Sequence, residues 1–238
     1  MGQHATQRNP LNATRPLTVG VLADDLAVQA WRALNDEQRA QSCDVLELRL
    51  DSLPLDAAAL RQLVAETAQA QAILITARHP AEGGQGDLDC AARRQRLEPL
   101  LEIAQLMDIE LRSIGEMRPL IQQAQAAGIG VIGSLHDFQS TPSLEILEGA
   151  LRFAQSAGFN AFKVATHLNQ PNDLLRLIEL TLIEHPLRRC VMGMGSLGKI
   201  SRLTLGRLGS LLNYGYIGKA NAPGQWPADQ LRRLLAEI

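Results

Sequence analysis

The chain has 238 residues, with 23 Lys and Arg against 25 Asp and Glu, a formal net charge of −2. So even a balance excludes a surface built to neutralise many phosphates, and no nucleic acid partner is expected. The longest apolar runs are short pieces such as AILITA, and the opening MGQHATQRNPLNATRP is polar, so neither a membrane span nor a secretion signal is expected. Cys43, Cys90 and Cys190 lie far apart with no C-x-x-C pair. They read as reduced thiols in a cytoplasmic protein.

Residues 1–16 read as a flexible polar tail. From Leu17 onward short apolar runs alternate with longer stretches of helical periodicity. The runs are LTVGVL (17–22), CDVLELRL (43–50), AILITA (72–77), LMDIEL (106–111), GIGVIGSL (128–135), AFKVA (161–165), CVMGM (190–194) and LNYGYI (212–217). Between them lie segments such as RSIGEMRPLIQQAQAAG and SLEILEGALRFAQSAG, with Leu, Ile and Ala on one helical face and Gln, Glu and Arg on the other. Gly128 and Gly158 stand where a left-handed residue ends a helix, and Ser143 is a candidate N-cap. No linker interrupts the rhythm, so residues 17–238 are expected as a single domain. Strands separated by helices imply parallel pairing with right-handed crossovers. Eight such units match an α/β fold of the (β/α)8 TIM-barrel type, with a doubly wound open sheet as the alternative.

Charged side chains gather at the C-terminal ends of these strands: Glu47, Arg49 and Asp51, then Arg78, Asp108 and Glu110, His136 and Lys163. In a barrel those ends converge on one face, where such folds place their chemistry. Lys163, in NAFKVAT, is a lysine inside an apolar strand, a position lysine rarely takes unless paired or working. Removing an ammonium from water favours the neutral amine, the nucleophile that forms a Schiff base with a ketone. His136, in GSLHDF, ends the preceding strand and can move protons near neutrality. Glu110, one strand further, is expected to orient its ring. No Asp or Glu occurs between His185 and Ala228 while six Lys and Arg do. Among those, Arg202, expected at the start of the helix after strand seven, could fork two hydrogen bonds to a carboxylate, which predicts a small anionic substrate. The string GMGSLG (193–198) has dinucleotide-loop spacing, but neither a ribose-binding acid nor enough chain follows it; it reads as a tight loop closely approached by ligand or backbone. No metal-ligand spacing appears, so no metal is expected.

At ELRLD (47–51), TARHPAEGG (76–84), DIE (108–110), SLHDFQSTP (134–142), FKVAT (162–166), MGSLGKISR (194–202), GSLLNYG (209–215) and APGQ (222–225), the sequence resembles the type I 3-dehydroquinate dehydratases of the shikimate pathway. The resemblance implies a (β/α)8 barrel, often a homodimer, that removes water from 3-dehydroquinate through a lysine imine without metal or other cofactor. It implies Lys163 as the imine-forming residue, His136 as general acid and base, and Glu110 as the partner of His136. Glu47, Arg49 and Arg78 match residues that meet the substrate's hydroxyls, and Glu82 matches an acid in the loop after strand three. Arg202 matches the carboxylate-binding arginine, Met194 an apolar wall, and Gln225 a residue of the closing loop. Asn221 stands where many members carry serine, which bears on substrate affinity and loop closure. A lysine-dependent aldolase-like barrel and a catalytically silent quinate-binding barrel are the competing expectations.

Overall fold

The computed structural model describes residues 9–67, 70–220 and 224–237. Each of the eight apolar runs falls on a strand, with β5, β6 and β7 extending two residues beyond theirs: β1 (Leu17–Leu22), β2 (Val45–Arg49), β3 (Ala72–Thr76), β4 (Leu106–Glu110), β5 (Gly130–Asp137), β6 (Ala161–His167), β7 (Arg188–Met194) and β8 (Leu212–Tyr216). The helices are α1 (Asp25–Ala33), α2 (Asp36–Ser42), α3 (Ala57–Thr67), α4 (Cys90–Leu97), α5 (Ile114–Ala126), α6 (Leu144–Ser156), α7 (Pro171–Leu182), α8 (Gly198–Arg207) and α9 (Ala228–Glu237). No described helix is long and apolar enough to cross a membrane.

All ladders are parallel, and the hydrogen-bonded order runs β7-β6-β5-β4-β3-β2-β1-β8. The two terminal strands of that order meet at a seam. Leu211 N donates to Arg189 O at 2.8 Å, while the Ser210 hydroxyl accepts from Val191 N at 2.9 Å and donates to Val191 O at 3.1 Å. The sheet is thus a nearly closed barrel with helices outside it, a (β/α)8 TIM barrel in one domain. The open-sheet alternative is set aside.

Strand alternation divides the apolar residues into two cores. One fills the barrel, with Val19, Val21, Val45, Leu74, Leu106, Ile132, Ala161, Ala165 and Met192 among its members. The other lies between strands and helices and includes Leu22, Leu46, Leu48, Phe162, Val164 and the fully buried Trp31 of α1. On β6 the outward residues are therefore Phe162 and Val164, and Lys163 falls on the interior face between Ala161 and Ala165.

The first described residues depart from the expected tail. Pro10–Asn12 form a 3-10 turn capped by Asn9, whose side chain accepts from Leu11 N at 3.0 Å. Leu11 is buried with the barrel-filling residues, where it meets Leu106 around Gly130. Burying a leucine contributes about 1.5–3 kcal/mol, which offsets part of the cost of ordering the segment. The tail boundary at residue 16 is corrected accordingly, and residues 1–8 lie outside the described set. The helix ends agree with expectation: the Ser143 hydroxyl accepts from Ile146 N, and Gly128 and Gly158 have φ of 79° and 83° after α5 and α6.

Candidate active site

The inward positions near the C-terminal ends of the strands are almost all polar. Glu47 and Arg49 come from β2, Thr76 and Arg78 from β3 and its exit, Asp108 and Glu110 from β4, Ser134 and His136 from β5, and Lys163 from β6. Together with Tyr214 of β8 and Arg202 of α8, several of these surround a cavity of about 120 Å³ at the barrel mouth. A larger cavity, about 960 Å³, lies outside the barrel between α2 and α9. Its Arg232 pairs with Asp44 and its Arg233 with Asp229, and no base and nucleophile meet there. The smaller cavity is the one where the ionisable side chains of the strand ends meet.

Lys163 Nζ lies 2.9 Å from Asp108 Oδ2 and 4.1 Å from the centre of the Tyr214 ring, so an ion pair and an aromatic face hold it. Asp108 Oδ1 accepts from Arg78 Nη1 at 2.9 Å and from the Ser134 hydroxyl at 2.5 Å. Burial alone would raise the Asp108 pKa, but the charges of Arg78 and Lys163 hold it well below the usual carboxylate range.

The His136 side chain is only 8% exposed, and its carboxylate partner is Glu82, not Glu110. Glu82 Oε2 lies 2.9 Å from His136 Nδ1 and accepts from His136 N, also at 2.9 Å. Burial, then the charges of Arg78 and Lys163, push the imidazole pKa well below its ordinary value. Glu82 is pushed up to about 7 by burial and by the charge of Glu110. A neutral ring donating from Nδ1 to Glu82 keeps Nε2 as the acceptor nitrogen, the arrangement a general base requires.

Glu110 is occupied elsewhere. Its Oε1 accepts from Arg78 Nη1 at 2.8 Å and from His79 N at 3.0 Å, and its Oε2 binds Arg93 and the Ser113 hydroxyl. The expectation that Glu110 orients His136 is corrected: Arg93, reaching in from α4, and Arg78 claim its carboxylate. Glu82 reaches His136 because the 3-10 turn Pro80–Glu82 folds it over the end of β5.

Arg202 sits in the second turn of α8, not at its start. Nε donates to Tyr214 O at 3.1 Å, and Nη1 donates to the carbonyls of Gly193, Gly198 and Gly224. Burial pushes its pKa down to about 10, with no carboxylate acting on it among the described residues. A buried guanidinium held only by carbonyls keeps its charge uncompensated at the cavity wall, which suits it to meet an anion.

A profile of type I 3-dehydroquinases matches residues 27–238. The chain belongs to the type I 3-dehydroquinase family. It is 32% identical over 223 residues to a 3-dehydroquinate dehydratase of Staphylococcus carnosus, covering 89% of this chain and 92% of that one. Against the dehydratase of Pyrobaculum aerophilum the identity is 35% over 188 residues, 77% of this chain but 60% of the relative, so the chain spans less than two thirds of that protein. The crystal structure of the Geobacillus kaustophilus dehydratase superposes with a TM-score of 0.83 at 27% identity, covering 94% of this chain and 91% of that one.

In this member of the type I 3-dehydroquinase family, nine of the expected site residues line the one cavity: Glu47, Arg49, Arg78, Glu82, His136, Lys163, Met194, Arg202 and Gln225. Glu110 stands behind Arg78. Asn221 lies outside the described residues. The glycine string is a loop built for close backbone approach. Gly195 has φ +84°, and a Cβ on Gly198 would come within 2.9 Å of Gly224 O.

Asp108 and Tyr214, the groups touching Lys163, carried no role in the sequence reading. Asp108 shares its inward face with Glu110 two residues on, a signal that strand alternation could have supplied. Asp51 was likewise without a role. It takes a bidentate fork from Arg49, Nε to Oδ1 at 3.0 Å and Nη2 to Oδ2 at 2.8 Å, and so aims that guanidinium.

Proposed function

We propose that this protein dehydrates 3-dehydroquinate to 3-dehydroshikimate through a covalent imine on Lys163. The observation that carries the reading is a lysine inside the barrel, in the same small cavity as a neutral histidine and an arginine without an acidic partner. Each supplies one requirement: a nucleophile for the ketone, a base for the adjacent carbon, and an anchor for the carboxylate.

Lys163 begins paired with Asp108, so it must give up a proton before it attacks, and His136 Nε2, in the same cavity, is assigned as the acceptor. Addition to the C3 ketone and loss of water give a protonated imine, an electron sink that acidifies the C2 hydrogen. His136 removes that hydrogen and returns a proton to the departing C1 hydroxyl, so one imidazole serves both halves of the elimination. Water then frees the lysine. General acid–base help accounts for about 10²–10⁴-fold, so positioning by Arg202, Arg49 and Glu47 and the covalent sink carry the remainder. Gln225, beside the glycine loop, is assigned to closing over the substrate.

Borohydride added during turnover tests the reading. The expected result is loss of activity and substrate mass on the peptide containing Lys163. An unmodified lysine with activity untouched removes the imine. Dehydroquinate giving an ultraviolet-absorbing enone without cleavage products separates dehydration from an aldolase-like reaction, and no turnover at all points to the silent binding barrel.

A further inference from the structure

Tyr214 is 4% exposed and lines the site cavity, yet its hydroxyl is buried with no hydrogen-bond partner among the described residues. Its ring faces Lys163 Nζ, a contact phenylalanine would make equally well, and phenylalanine would fill the same space without burying an unpaired hydroxyl. The hydroxyl is therefore unexplained by packing or by the cation–π contact. Buried polar groups of this kind are completed by something the protein itself does not supply.

Position decides what that is. Tyr214 of β8 joins Glu47 of β2, Asp108 of β4 and Lys163 of β6 as the inward residues of alternate strands, one layer of the barrel filling, with its ring 4.1 Å from Lys163 Nζ. Substrate enters from the mouth, where Arg202, His136 and Gln225 stand. Glu47 and Asp108 are the acids whose charges act on the hydroxyl, and Glu47 gives only Oε1 to Thr76, at 2.7 Å. Carboxylate, hydroxyl and amine together offer the two to four polar partners a buried water needs.

We infer that the Tyr214 hydroxyl anchors a water site against Lys163, and that this water is the one exchanged as the imine forms and is hydrolysed. The inference rests on the imine proposed above. In formation, nitrogen adds to the ketone carbon; the carbinolamine C–O bond then breaks, and its oxygen takes a proton from the His136 imidazolium and leaves as water into the site. In hydrolysis that water adds to the C=N carbon and gives a proton to His136. His136 passes that proton to nitrogen, the C–N bond breaks, and the carbinolamine hydroxyl gives its proton to His136 as the ketone forms. Nothing beyond ketone, amine, imidazole and water is consumed.

Tyr214→Phe in the full chain tests this, read by steady-state kinetics, by the steady-state fraction of borohydride-trapped Lys163, and by exchange of ¹⁸O from labelled water into recovered dehydroquinate. The expected result is a kcat about tenfold lower, KM no higher, a larger trapped fraction, and enzyme-dependent ¹⁸O exchange slowed by a similar factor, with Tm unchanged or higher. Unchanged kcat and exchange overturn the water site. A raised KM with kcat and exchange unchanged also overturns it, assigning the hydroxyl to a substrate oxygen instead. Absence of any adduct in the unsubstituted enzyme is a separate failure, that of the imine itself.

Discussion

His136 and Glu82 form a pair whose protonation decides whether Nε2 is available. Glu82 titrates at about 7, raised by burial and by Glu110, while the imidazole is held neutral well below that. As pH falls through about 7 the carboxylate takes a proton and its hold on Nδ1–H weakens, so kcat/KM is expected to fall there. Glu82→Gln, which does not titrate, should flatten that limb in a pH–rate profile; a limb unmoved by the substitution assigns it to another group. Stability follows the same shift with the opposite sense. A carboxyl whose pKa is raised by folding stabilises most at low pH and loses that contribution as pH rises through the folded value. The Tm advantage of Glu82→Gln over the natural chain should therefore grow as pH rises from about 5 through about 7 and level off above that. Lys163→Arg makes the complementary test, because arginine keeps the charge that pairs with Asp108 yet never becomes a neutral nucleophile. It should leave Tm within a few degrees and abolish both dehydration and borohydride incorporation. Lys163 was legible in the sequence because a charge inside an apolar strand has few explanations. The Glu82 contact was not, since it depends on how a three-residue turn folds over a neighbouring strand, and strand order alone made Glu110 the nearer acid.

The strands were legible for a related reason: both faces of each are buried, one in the barrel and one under helices, so each reads as a nearly unbroken apolar run. The turns that carry the mouth were less so. APGQ and GMGSLG are distant in sequence, and only the fold shows that they interlock through Arg202 Nη1, which donates to Gly224 O at 2.6 Å as well as to carbonyls of the glycine string. Gly224 has φ +77°, and a Cβ there would lie 2.3 Å from Gly195 O and 2.8 Å from Gly198 Cα. Both obstacles are backbone and cannot swing aside. Gly224→Ala should displace the segment bearing Gln225 and loosen Arg202, at a cost of about 1–3 kcal/mol for the strained conformation. Steady-state kinetics should show KM raised about tenfold or more, since about 1.4 kcal/mol is a factor of ten. An unaltered KM would mean that this loop has no part in binding. The same substitution at Gly128, also left-handed but with nothing within 4 Å of its Cβ position and lying at the opposite end of the barrel, should leave KM alone.

At the scale of the whole barrel, closure rests on the seam between β7 and β8, where a hydroxyl stands in for ladder bonds. Ser210 is fully buried, and its Oγ serves both Val191 N and Val191 O, at 2.9 and 3.1 Å. Alanine fits the same space but leaves a buried amide and a buried carbonyl without their partner. An unmet buried backbone group costs about 1–3 kcal/mol, so about 2 kcal/mol is a conservative expectation for the pair. In a domain of this size that corresponds to a Tm lower by about 4–8 °C. Ser210 precedes β8 and so lies at the end of the barrel opposite the mouth, which means kcat and KM at 25 °C should stay close to those of the natural chain. Thermal unfolding followed by circular dichroism, with kinetics on the same preparation, checks both halves. A Tm unchanged in Ser210→Ala would show that the single Leu211–Arg189 backbone bond suffices to close the barrel. A loss of activity without a loss of stability would mean that strain at the floor reaches Lys163 through Tyr214, whose strand begins two residues after the seam.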